Sequence, residues 1–238
     1  MVRKYLLVAL LLSIFLAANG QENKFESEWN VGVGFGPTFS SVDFETGPSI
    51  SGVATKSWQQ FHGGISIRYL SEKNLGLIAE LNYSQQGWQQ EFAENTQSVF
   101  DYLSFAHSHR LNYLELPVLT HIYFGRKVRF IFNLGPKIGF LLGESEKMNK
   151  ELEDALASGK FPVSNPSYQY YHKAERKIDY GIIGGVGLEL RTGIGNFTLE
   201  GRYTFGLGDI YNNSKADYFT RSANRVISAR LTYYVKLF

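Results

Sequence analysis

The sequence predicts an all-β fold, an eight-stranded antiparallel up-and-down transmembrane β-barrel with four long extracellular loops and a short helix in the third loop. Three observations lead there. The first twenty residues have the form of an export signal, eight later segments alternate apolar with small or polar residues, and the connections between those segments are short and long by turns.

Residues 1–20 read as a cleaved signal peptide. Arg3 and Lys4 precede an apolar run from Tyr5 to Ala17, and Ala18-Asn19-Gly20 offers a small-residue cleavage site before Gln21. The run from Leu6 to Ala17 is shorter than the ~20 residues a spanning helix needs. No cysteine follows the site, so lipid anchoring is not expected. Residues 21–238 then form one domain without an apolar run of helix-spanning length. A membrane-embedded chain of this kind must close its backbone hydrogen bonds in a barrel.

The first alternating segment puts Val31, Val33, Phe35 and Phe39 on one face and Gly32, Gly34, Gly36 and Thr38 on the other. In the second, Phe61, Ile65, Ile67 and Tyr69 oppose His62, Gly64, Ser66 and Arg68. The third sets Leu75, Leu77, Leu81 and Tyr83 against Glu80, Asn82 and Ser84, with Ile78 an exception on the polar side. The fourth carries Leu114, Leu116, Val118, Ile122 and Phe124 opposite Tyr113, Glu115, Pro117, Leu119 and His121. Val128, Phe130, Phe132, Leu134, Ile138 and Phe140 oppose Arg129, Asn133, Gly135, Lys137 and Gly139 in the fifth. The sixth sets Ile178, Tyr180, Ile182, Val186, Leu188 and Leu190 against Asp179, Gly181, Gly185, Gly187, Glu189 and Arg191. The seventh is the most regular, with Phe197, Leu199, Tyr203, Phe205 and Leu207 opposite Thr198, Glu200, Arg202, Thr204 and Gly206. The last places Ile227, Ala229, Leu231, Tyr233, Val235 and Leu237 opposite Ser228, Arg230, Thr232 and Lys236.

Tight connections at 71–74, 125–127 and 192–195 alternate with long ones at 40–57, 87–108, 143–175 and 211–220. An even strand number then puts both mature termini and the short turns in the periplasm and the long loops outside. Tyr69, Tyr83, Tyr123, Phe124, Tyr180, Tyr203 and Tyr233 are candidates for the interfacial aromatic girdles. A soluble barrel or sandwich would show the same alternation with inside and outside exchanged, so the two folds predict opposite burial for Arg202 and Phe205.

Composition narrows the function classes. The absence of cysteine excludes disulfides, thiolate metal sites and a cysteine nucleophile. Without Arg3 and Lys4, the 24 basic residues come into balance with the 22 acidic ones, and no basic field for nucleic acid remains. Neither a cofactor nor a metal is called for, since His62, His121 and His172 lack ligand spacing.

The lumen-facing set Arg68, Glu80, Glu115, Arg129, Lys137, Glu189, Glu200, Arg202 and Arg230, with Lys236 on the same parity, mixes both charges at similar depth. Eight strands leave an interior that side chains can fill, so an ion-pair network that plugs the barrel is expected, with a proton or ion pathway as the alternative. His107-Ser108-His109 raises a rim hydrolase, but strand neighbours point to opposite faces and a triad needs an oriented acid. The chain is therefore expected not to be an enzyme. Residues 181–187 lack the GxGxxG spacing of a nucleotide loop and read as small lumen residues.

In the third loop, Met148, Leu152, Ala155 and Leu156 recur at helical spacing, with Ser145 a candidate cap and Gly159 a stop. Phe161, Tyr168, Tyr170 and Tyr171 follow. Together, Met148, Leu152, Leu156 and these aromatic residues form either a lid over the mouth or a site for a protein partner. Lys173, Arg176 and Lys177 could meet lipopolysaccharide phosphates.

The segments LNYLELPVLTHIYFG at 111–125, FNLGPKIGFLL at 132–142 and GGVGLELR from 184 resemble the PorT-type outer membrane β-barrel proteins of Bacteroidetes. Phe238 is similar to the terminal aromatic residue read by the barrel assembly machinery, although its parity calls for a preceding bulge or for Leu237 in its place. The resemblance implies a Gram-negative outer-membrane barrel with lipid and lipopolysaccharide as neighbours. It leaves open a structural or loop-binding role and an accessory role in protein secretion, with a lipid hydrolase or narrow channel behind them.

Overall fold

The computed structural model describes residues 25–46, 54–92, 101–159, 170–213 and 219–238; the signal segment, Phe161 and Tyr168 lie outside them. The strands are β1 (Glu28–Thr46), β2 (Thr55–Lys56), β3 (Trp58–Glu72), β4 (Leu75–Gln90), β5 (His107–Gly125), β6 (Val128–Met148), β7 (Ile178–Thr192), β8 (Gly195–Asp209) and β9 (Phe219–Lys236). Among the described residues a 3₁₀ turn spans Tyr102–Ser104 and a helix, α1, spans Lys150–Ala157. The eight long strands pair antiparallel with their chain neighbours, and β1 pairs with β9, so the sheet closes on itself and leaves no edge. The two-residue β2 adds to β4 at the extracellular end and has no counterpart in the sequence reading.

Burial settles which face is inside. Arg202 is 6% exposed and Phe205 38%, so the charged face lines the lumen and the soluble alternative falls. On β5 the outward apolar residues run from Leu114 to Phe124, about 34 Å along the strand and about 26 Å across a membrane at a tilt of ~40°. Beyond Leu114 the outward positions turn polar, with Asn112, Arg110 and Ser108, yet the strand continues to His107. The expected loops are shortened in the same way at β1, β4 and β6, because backbone pairing does not stop where the lipid does.

The periplasmic turns use left-handed backbone at Asn74 (φ 72°) and Gly125 (φ 117°), where a Cβ on Gly125 would stand 2.2 Å from the Val128 carbonyl oxygen. Outward aromatic pairs mark this border: Trp29 with Tyr69 at 4.6 Å and Phe197 with Tyr233 at 4.9 Å. Tyr123 is not one of them. It is buried inside, with the Arg129 guanidinium 4.2 Å over its ring, because its parity is that of His121. Lys236 also departs from expectation: at the strand end it is exposed, and alternation breaks there. Phe238 then bridges back to Trp29, its carbonyl accepting the Trp29 N–H at 3.0 Å and its ring 6.5 Å from the Trp29 ring on the outer face.

Candidate functional site

Inside a periplasmic rim pair of Arg191 on β7 with Glu28 on β1 at 2.9 Å, the lumen holds three ion-pair groups. Nearest the periplasm, Glu189 on β7 bridges Arg68 on β3 and Arg129 on β6, the latter at 3.2 Å. In the middle, Arg202 on β8 donates to both oxygens of Glu80 on β4 at 2.8 and 2.7 Å and to Glu200 at 2.8 Å. Arg230 stands 3.9 Å from Glu80. Asn82 and Asn133 donate to Glu80 and Glu200, each at 2.8 Å. Toward the outside, Lys137 bridges Glu115 at 2.5 Å and Asp179 at 2.8 Å. The glycines of the inner face make room for these long side chains. A Cβ on Gly185 would meet the Glu200 carboxylate at 2.1 Å, and one on Gly34 the Arg230 guanidinium at 2.7 Å.

The nine charged residues named from sequence all face the lumen, and apart from Glu200 and Arg202, two positions apart on β8, their ion pairs join different strands. Asp179 completes the outer group; its inner-face parity was the available signal. Ile78, the exception on the polar side, packs inside with Leu119 and Ile183.

Above the polar core, inward side chains turn apolar again. Val42, Trp88, Leu111, Tyr113, Ile210, Tyr211 and Phe219 pack with Ala174 of the third loop across the mouth. Trp88 stacks on His109 with centroids 4.7 Å apart, and Phe44 meets the Trp88 ring at 5.0 Å. Val42 on β1 and Trp88 on β4 continue the lumen parity past the membrane, into stretches expected from the sequence to be loops.

The second and third loops fold together into a crown. Leu152 and Ala155 of α1 are buried against Phe105 and Tyr170, with Phe92, Tyr102, Met148 and Leu156 packed around them. Leu152 and Tyr170 are consequently interior residues and cannot face a partner, whereas Tyr171 is 64% exposed. Asn149, not Ser145, occupies the N-cap, because β6 pairs with β5 as far as Met148. The Asn149 side chain holds the second loop, accepting the Ala106 N–H at 2.9 Å and donating to the Ser104 carbonyl at 2.7 Å. Gly159 (φ 67°) follows the helix as its stop.

Two carboxylates strap the returning chain to β6. Glu146 accepts the Tyr171 N–H at 3.0 Å and contacts His107 Nε2 at 2.7 Å; Glu144 accepts the Ala174 N–H at 2.8 Å and contacts His109 Nε2 at 3.0 Å. Burial would raise the Glu146 carboxyl, but hydrogen bonds from His107 and the Tyr171 amide outweigh it and hold the group below its ordinary value. Burial depresses the His109 imidazole against the opposing pull of Glu144 and Glu146. Ser108 lies on the opposite face of β5 from both histidines, so the three residues do not assemble a nucleophile and base. Among the described residues, no cluster of three or more metal-ligating side chains occurs.

A closed eight-stranded barrel with a lipid-facing apolar belt and a charged interior defines the class of small outer-membrane proteins. The chain belongs to the outer membrane protein beta-barrel domain family, whose model matches residues 18–212, and it is a protein of the outer membrane. Similar solved structures include OprG of Pseudomonas aeruginosa (10% identity, 88% of this chain and 96% of that one, TM-score 0.47). Neisserial surface protein A is 12% identical over 90% of this chain and 100% of that one, with a TM-score of 0.43. Ail of Yersinia pestis is 13% identical over 87% and 99%, with a TM-score of 0.39. The fold assignment rests on the strand ring and the family match. No curated protein matches the chain.

Proposed function

We propose that this outer-membrane protein is a non-conducting barrel that acts through its extracellular crown, as a structural or binding element toward lipopolysaccharide or a protein partner. The observation that carries the reading is the burial of the lumen: the side chains of Arg68, Glu189, Arg230 and Glu80 have no solvent-accessible surface. Charges locked in pairs under an apolar mouth offer an ion no hydrated path. Planar-bilayer recording of the refolded protein tests this, and the expected trace has no unitary steps; a steady stepwise current would overturn it. Replacing residues 149–177 with a short turn should leave membrane insertion intact and remove lipopolysaccharide or partner binding.

The PorT-type resemblance supports a second reading, an accessory subunit of a secretion assembly in Bacteroidetes, with the exposed Tyr171 beside the strapped return as the contact. Purification in mild detergent separates the two readings. A stoichiometric protein partner favours the assembly, and a lone heat-modifiable barrel favours the autonomous role.

A further inference from the structure

The outer wall of the crown carries a row of side chains that the lumen and the strap do not use. Lys56 on β2 is the cross-strand partner of Gln89 on β4, Gln89 of Ser108 on β5, and Ser108 of Lys147 on β6. Four laterally paired strands therefore present Lys, Gln, Ser and Lys in one line on the outward face, with the lysine Cα atoms about 14 Å apart at ~4.8 Å per strand. Each lysine reaches ~6 Å from its backbone, so both can converge on a ligand held between them. These residues line a cavity of about 280 Å³ under the second loop, together with Phe105, Ala106, Met148 and Asn149, and no carboxylate lines it.

The other polar groups of this cavity are already engaged. His107 contacts Gln90 and Glu146, and Asn149 binds the Ala106 amide, the Ser104 carbonyl and Glu151. Neither lysine has a carboxylate partner among the described residues. What remains is two cations flanking an amide and a hydroxyl, each of which can both donate and accept. That set matches a sugar bearing phosphate: the ammonium groups take the anion, and Gln89 and Ser108 take ring hydroxyls. The cavity is at the small end of ligand pockets, suited to one saccharide unit rather than a peptide segment.

Height agrees with this chemistry. Ser108 is six residues beyond Leu114, the last outward apolar residue of β5, or about 16 Å above the hydrocarbon edge at the tilt used above. Glycan and phosphate surround an outer-membrane barrel at that level, and acyl chains do not.

We infer that the row Lys56, Gln89, Ser108 and Lys147 is a binding site for a phosphorylated sugar. The inference rests on the reading of the crown as a binding surface and assigns part of that binding to four residues. Two sources share the chemistry: the core saccharide of lipopolysaccharide in the same leaflet, and a soluble phosphorylated glycan.

The test is calorimetric titration of the full mature protein in lipid nanodiscs. The probes are core oligosaccharide released from lipopolysaccharide by mild acid, the same oligosaccharide after dephosphorylation, and intact lipopolysaccharide. The expected result is binding of a phosphorylated probe that weakens at least about tenfold in Lys56→Gln/Lys147→Gln and on dephosphorylation. Ser108→Trp, which fills the cavity and keeps both lysines, should weaken it as well. Binding of the released oligosaccharide identifies a soluble glycan as sufficient; lysine-dependent binding of intact lipopolysaccharide alone identifies the membrane lipid. Heat-modifiable migration verifies folding of each variant. Affinity unchanged in both variants overturns the inference. If replacing 149–177 still abolishes binding, the crown reading survives; if that variant also binds normally, both fall.

Discussion

Replacing Arg202 with alanine gives the sharpest test of the lumen. Its guanidinium makes three charge-assisted hydrogen bonds of 2.7 to 2.8 Å, two to Glu80 and one to Glu200, with both carboxylates buried. At ~1.5 to 3 kcal/mol each, the bonds set an upper range of about 4.5 to 9 kcal/mol. Part is recovered, because Asn82 and Asn133 keep their bonds to Glu80 and Glu200 and Arg230 stays 3.9 Å from Glu80. The expected loss is therefore about 3 to 5 kcal/mol, the cost of stranding buried charge. Urea titration in lipid vesicles, read by heat-modifiable gel migration, measures it. The double variant Arg202→Met/Glu200→Gln should regain most of the loss, since Glu80 and Arg230 remain as a charge-balanced pair. A loss below about 1 kcal/mol, or a double variant no better than the single one, would refute the argument that pairing, not bulk, holds the lumen.

Further outcomes follow from position. Leu134 faces lipid in mid-span, paired with Thr120 and Gly184, so Leu134→Arg should cost about 2 to 4 kcal/mol by the same titration. Phe205 is closer to the outer border, where the Arg225 guanidinium lies 3.9 Å over its ring, and Phe205→Lys should cost about 1 kcal/mol or less; equal costs at the two sites would contradict the assigned depths. Gly185→Val pushes into Glu200 and should cost about 1 to 3 kcal/mol, while Gly184→Val, whose Cβ has only Leu134 nearby at 3.9 Å, should be close to neutral. Acid should loosen the strap. His109 is held below its ordinary value near 6.5, so the unfolded state takes protons first and strap stability falls as pH drops from about 6.5. Glu146, also depressed, contributes above its ordinary value and is lost as pH falls through its lower folded one. Hydrogen exchange at the Tyr171 and Ala174 amides, corrected for intrinsic rates, should speed up below pH 6; unchanged protection down to pH 4 would count against the strap.

Strand parity accounts for what could be read in advance. A period of two assigns each residue of a strand to lipid or lumen, and shifting it by one would reverse every assignment, so Phe132 and Arg202 were legible without coordinates. The same rule reached Asp179, and its meaning became clear only when Lys137 was found against it. Parity fails where a strand ends or a bulge intervenes, as at Lys236 and Phe238. It also carried no mark of how far strands continue beyond the lipid, since the lipid-facing apolar signal fades at Asn112 while backbone pairing does not.

The linear order of residues by itself determined a membrane barrel, its eight long strands, the side of each turn and the charged identity of its interior, because these depend on local periodicity and on the chain's need to satisfy its backbone in lipid. Only the tertiary structure decided which charges meet, that Trp88, Tyr211 and Ala174 close the mouth, that Leu152 and Tyr170 turn inward, and that Lys56 and Lys147 share one row. Those contacts join residues far apart in the chain, and closure of the sheet with its strand register, which no single segment contains, sets the distances between them.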